Sequence, residues 1–223
     1  MRRLAMSVAA LGSVTAASPV LAGEDTQYWQ TVSVGVALPS NFKLSSETVF
    51  RTSEARGFYE IEENLMVGYK ADKHVTVWLG YTHSPSYSHG NFTVMEHRFR
   101  QQMNVDNFAI IGKVKLSGRV RLEERWREGI GGTAWRLRPQ VKAVVPLAGK
   151  VSLTASHESF IDLNTTSFQR VQGYERMRNA LSIGVPINKQ IGVDFGYLNQ
   201  HGFVRNGRDT SDHVLTAGLS ASF

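Results

Sequence analysis

From about residue 28 to its end, the chain alternates apolar and polar residues with a period of two, mostly in runs of ten to fourteen, and no helical period competes with it. This restricts the fold to all-β. It also sets the strand length: strands of soluble sheets average about 5 to 6 residues, whereas about 9 to 11 are needed to cross a bilayer. The runs fall at 28–38, 42–53, 58–70, 74–84, 94–105, 108–127, 133–147, 151–163, 174–187, 190–200 and 212–223. In the last, Leu215, Ala217, Leu219, Ala221 and Phe223 share one face and Thr216, Gly218, Ser220 and Ser222 the other, the two-sided pattern of a strand between lipid and a polar lumen.

Tight turns are expected at Pro39-Ser40-Asn41, Ala71-Asp72-Lys73, Val105-Asp106-Asn107, Ala148-Gly149-Lys150 and Asn188-Lys189-Gln190. Longer connections are expected at Ser84–Thr93, Glu128–Gly132, Asn164–Gly173 and His201–Ser211, an alternation typical of short periplasmic turns and longer outside loops. No linker or composition shift divides residues 23–223, which read as a single domain. A soluble barrel or sandwich also alternates. Run length, and aromatics near strand ends at Tyr69, Tyr81, Trp126, Trp135 and Tyr197, favour a transmembrane antiparallel up-and-down β-barrel. Bacterial single-chain barrels have even strand numbers, so the eleven runs are expected to resolve into ten to twelve strands, twelve favoured. A turn hidden near Gly112 to Lys115 or a misassigned first strand would reconcile the count.

Residues 1–22 carry Arg2 and Arg3, a small-residue apolar run and Val20-Leu21-Ala22, the pattern of a secretory signal cleaved near Ala22. No run approaches the ~18 apolar residues of a spanning helix. The chain has no cysteine, which excludes a lipidated-thiol anchor and disulfide chemistry. The terminal Phe223 resembles the signal read by the barrel-assembly machinery of Gram-negative bacteria. Together these place residues 23–223 in the outer membrane, with outer-membrane lipid, lipopolysaccharide and that machinery as expected partners.

The polar faces are densely charged. Glu96, Arg98 and Arg100 are expected to point inward from one segment, Arg119, Arg121, Glu123, Arg125 and Arg127 from the next, and Arg136 and Arg138 from the one after. Glu158 and Asp162, Arg176 and Arg178, and Glu47, Arg51, Glu60 and Glu62 follow on other strands. Two readings stand side by side: an arginine ladder selecting anions through a narrow pore, or a plug of Arg-carboxylate pairs filling a small barrel. The formal net charge of +6 falls to about +4 without the leader, and no basic run interleaved with aromatics supports nucleic-acid binding. Arg56, Arg127, Arg170, Arg205 and Arg208 lie in or beside the outer loops, where they could pair with lipopolysaccharide phosphates or simply be solvated.

Chemistry is sparse. His83, His89 and His97 have no carboxylate or cysteine at a recognised spacing, so no metal is expected. No phosphate-cradling glycine loop is present, and no cofactor is implied. One grouping stands out: His157 and Ser159 share the lipid-facing register with Asn179 of the next strand. Polar groups facing lipid are costly, which makes three together informative. At the outer rim, however, such polarity is harmless, and His-x-Ser arises by chance.

Two resemblances follow. Glu96-His-Arg-Phe-Arg-Gln-Gln102, Arg119-Val-Arg-Leu-Glu-Glu-Arg125, Arg136-Leu-Arg138, Glu158-Ser-Phe160, Arg176-Met-Arg178 and Tyr197-Leu-Asn-Gln200 resemble a family of uncharacterised outer-membrane barrels catalogued as a domain of unknown function. The resemblance departs at Pro139, where an aromatic is usual, and at His157, where Asn is usual. It implies a fold and a location but no activity. More locally, His157, Ser159 and Asn179 resemble the triad of outer-membrane phospholipase A, which implies a lipid hydrolase with His as base, Asn as orienter and calcium as its only cofactor. The Gly-rich context after that serine is replaced here by Phe160-Ile161. A narrow pore or a structural envelope protein is the leading expectation, the hydrolase the alternative.

Overall fold

The structure, a computed structural model, describes residues 23–223. The leader expected over 1–22 lies outside the described residues. Eleven strands follow one another: β1 (Gly23–Ala37), β2 (Phe42–Ser53), β3 (Gly57–Lys70), β4 (Val75–Ser88), β5 (Asn91–Ile111), β6 (Val114–Arg127), β7 (Ile130–Pro146), β8 (Ser152–Asp162), β9 (Gly173–Pro186), β10 (Ile191–Gly202) and β11 (Thr210–Ser222). Each pairs antiparallel with its sequence neighbour, and β1 closes the barrel on β11. The count is eleven rather than the favoured twelve. An odd number forces the closing pair to run parallel, from Gly23↔Thr210 to Gly35↔Ser222. Phe223 extends this seam, its carbonyl accepting from the Ala37 amide at 2.8 Å and its amide donating to the Gly35 carbonyl at 2.9 Å.

Three local expectations are corrected. Val105-Asp106-Asn107 is not a turn: β5 runs through it to Ile111, with a register shift between Val105 and Ala109 and Asn107 at φ 50°. The turn lies at Gly112–Lys113, inside the hidden position considered above. Two of the four long connections are also short. β4 and β5 meet across His89–Gly90, both at positive φ (49° and 81°), the conformation of a two-residue hairpin turn that matches strand twist. β6 and β7 meet across Glu128–Gly129. Only 163–172 and 203–209 are long, and both sit at the mouth opposite the Pro39–Asn41 turn.

The distribution of polarity is inverted relative to a soluble barrel. Among the described residues seven buried side chains are hydrophobic and eighteen are polar or charged, whereas Leu65, Leu79, Ile110, Ile183, Phe195 and Leu215 are exposed on the outer face. Small inward residues on β4 shape the interior: Gly80, Thr82 and Ser84 leave room for side chains of β5 to reach β3. A Cβ on Gly68 would lie 2.5 Å from Trp78, and one on Gly80 would lie 2.5 Å from Met66, so glycine is what lets these two bulky side chains fit.

Candidate functional site

Alternation along β5 to β9 turns the fourteen charged residues named from Glu96 through Arg178 toward the lumen, where ion pairs, with Glu175 and Gln200 as links, join them into one network. Each of four glutamates is shared. Glu62 takes Arg51 at 3.0 Å, Arg98 at 2.9 Å and Arg100 at 2.7 Å. Glu96 takes Arg98 at 2.7 Å, Arg125 at 3.0 Å and Arg127 at 2.7 Å. Glu123 takes Arg100 at 3.1 Å and Arg138 at 2.7 Å, and Glu158 takes Arg138 at 3.0 Å and also Arg119. Arg100 and Glu123 have no exposed surface. Sharing of this kind is what a carboxylate's four lone-pair sites and the guanidinium fork allow.

This layer separates two cavities. The smaller, about 130 Å³, lies between Gln102, Asn104, Arg119 and Lys142. The larger, about 1080 Å³, opens at the mouth carrying the long loops. Its wall is arginine laid on aromatic rings. Arg138 and Arg178 lie 4.4 and 4.6 Å from the Phe160 ring, Arg51 and Arg178 lie 4.4 and 4.7 Å from Trp29, and Arg56 lies 3.9 Å from Tyr59. Trp29 is fixed by its indole N–H, which donates to Gln27 and Tyr59, both at 3.0 Å.

Loop residues complete the mouth, and sequence periodicity could not find them. Gln169 of the 163–172 loop is 3% exposed, accepts from Arg125 at 3.1 Å and donates to the Trp135 carbonyl at 3.0 Å. The 203–209 loop is pinned by Asp209, whose carboxylate accepts from the Val204 amide at 2.9 Å and lies 3.2 Å from His201. The Val204 amide holds the Asp209 carboxyl below the usual carboxylate range.

On the outer face, β8 and β9 bring His157, Ser159 and Asn179 together, with His157 directly opposite Asn179. His157 Nδ1 lies 2.7 Å from Asn179 Oδ1, and His157 Nε2 lies 3.1 Å from Ser159 Oγ. The tautomer consistent with both contacts has Nδ1–H donating to Asn179, which leaves Nε2 to accept the serine proton. Tyr174 Oη sits 3.1 Å from Ser159 Oγ on the other side. The sheet is irregular here on both flanks. The β7–β8 register has no pairs between Leu137↔Ile161 and Gln140↔Glu158, the stretch holding Pro139, which brings no N–H to the ladder, and the β8–β9 register shifts between Phe160 and Ile161.

Of His83, His89 and His97, two lie side by side and the third stands apart. His83 and His97 face outward with ring centroids 5.8 Å apart, and His89 occupies a turn. His97 instead contacts Tyr81 Oη at 2.5 Å and Glu128 at 3.1 Å and stacks on Trp126. Among the described residues no group of three or more His, Asp or Glu is placed to hold a metal ion.

Fold and interior define a closed β-barrel with an apolar exterior and a charged, ion-paired lumen. The family described as protein of unknown function (DUF2490) matches residues 26–211, and the chain belongs to that family. An uncharacterized protein of Methylorubrum extorquens is 30% identical over 156 residues, covering 69% of this chain and 68% of its own length. No solved structure matches the chain.

Proposed function

We propose that the protein is an outer-membrane barrel whose lumen is shut at mid-height, a structural envelope component with a working surface at its outer mouth rather than a conduit. The observation that carries this is the pairing of an exposed apolar exterior with an interior crossed by Arg100 and Glu123, neither of them exposed. An ion-paired layer of this kind occupies the path that a permeating solute would need. The protein is expected to sediment with outer membranes, to show heat-modifiable gel mobility after refolding, and to leave a planar bilayer silent. A steady anion current through the parent that falls in Arg119→Gln/Arg121→Gln would replace this reading with a pore. Recovery as a soluble periplasmic protein would remove the membrane altogether.

The geometry at Ser159 favours a second reading, an ester hydrolase acting on membrane lipid. Ser159 Oγ would attack an ester carbonyl as its proton passes to His157 Nε2. The acyl–oxygen bond then breaks, the lipid alcohol leaves with that proton, and water repeats the sequence to release the fatty acid and restore the serine. Asn179 would orient the imidazole. Refolded parent and Ser159→Ala are compared for fatty-acid release from phospholipid, with and without added calcium. Release by the parent that drops by about 10³-fold or more in the variant supports the enzyme, and no release by folded parent leaves His157 and Ser159 as interfacial polar groups.

A further inference from the structure

The larger cavity is unbalanced in a way that the layer beneath it is not. Eleven arginines line it against six carboxylates. Those carboxylates are already engaged: Asp162 accepts from Arg136 at 2.7 Å, Glu175 from Arg176 at 2.9 Å and Asp212 from Gln200 at 2.6 Å, while Glu60, Glu62 and Glu96 belong to the shared network. The remaining guanidinium capacity faces the void. Arg178 lies between Trp29 and Phe160, gives its Nε to Gln200 at 2.9 Å and comes within only 4.0 Å of a carboxylate, Glu158. Arg176 keeps about a third of its side-chain surface open (32%) and gives one terminal nitrogen to Glu175 at 2.9 Å and the other to Gln200 at 3.4 Å. Arg127 lies 4.8 Å from the Phe168 ring with its Nε committed to Glu96, and Arg170 and Arg205 line the cavity from the two long loops.

Stacking on aromatic rings fixes the plane of a guanidinium and leaves its N–H edge free, the arrangement that grips a phosphate with two parallel hydrogen bonds. The volume, about 1080 Å³, is that of a ligand site rather than of a packing defect. We propose that this vestibule binds an oligoanion carrying two or more phosphate groups, with Arg176 and Arg178 holding one group deep in the cavity and Arg127, Arg170 and Arg205 holding another at the mouth. Such groups occur on a phosphorylated glycolipid headgroup and on a soluble polyphosphate. The recognition chemistry is the same for both. It does not depend on where the barrel resides.

The test is calorimetric titration of the refolded protein in zwitterionic micelles, with heat-modifiable mobility checked for every sample. One arm uses tripolyphosphate, and the other uses a bisphosphorylated glycolipid against its dephosphorylated form. Saturable binding is expected, weakening steeply with salt and by about tenfold or more in Arg178→Gln. Arg170→Gln/Arg205→Gln, confined to loops, guards against a folding defect and is expected to weaken binding by about threefold or more. Lys142→Gln, at the opposite cavity, is expected to leave it unchanged. Binding of tripolyphosphate alone assigns a soluble ligand, and binding of the phosphorylated glycolipid alone assigns a lipid. No saturable heat from either probe with folded parent overturns the proposal, as does affinity undiminished in both arginine variants.

Discussion

Glu123 is the most enclosed acid of the network: wholly buried, it ties Arg100 of β5 to Arg138 of β7 through one oxygen. Removing one partner of a buried ion pair strands the others, at a cost of about 3–5 kcal/mol. Glu123→Gln is therefore expected to lower the unfolding free energy, extrapolated from urea titration in micelles, by that amount, while Glu54→Gln in an exposed turn stays within about 0.5 kcal/mol. Equal free energies would mean that the network fills space without holding the strands. The inward arginines were legible because alternation assigns a face to every residue of a strand. Their partners were not, because which Arg meets which Glu depends on stagger between strands and on the small residues of β4. His157, Ser159 and Asn179 were likewise legible as one face, but their contacts required the β8–β9 register. Gln169 and Phe168 left no trace, since a loop has no period to read.

Among the elements, β5 shows what composition hides. Asp106-Asn107 has the residues of a turn, yet the strand continues and absorbs them as a bulge with Asn107 at φ 50°. Asn serves both settings because its short amide side chain tolerates the left-handed region. Asn107→Gly is expected to refold with stability close to the parent, and Asn107→Val to lose about 1–2 kcal/mol, read from the same urea titration. An undisturbed Asn107→Val would indicate that the bulge relaxes and that the register between Val105 and Ala109 is soft. Strand existence elsewhere followed the apolar period closely, because outward residues in a barrel have no neighbouring layer to relax the pattern.

For the whole molecule, the eleven runs were visible in the sequence, and the expectation of an even count displaced them. That expectation describes barrels closed entirely by antiparallel pairs. Here β1 and β11 lie side by side in the same direction, so hydrogen bonding closes the wall without a twelfth strand. The parallel seam has a further consequence. In an even-stranded barrel both ends of the chain emerge at one rim, where a short linker can join them. Here Gly23 leaves from the rim of the long loops and Phe223 from the other, so circularising the chain would require a tether as long as the barrel is tall. Anything fused to the first strand and anything fused to the last would stand at opposite rims of the barrel, making this fold a rivet with two distinct heads.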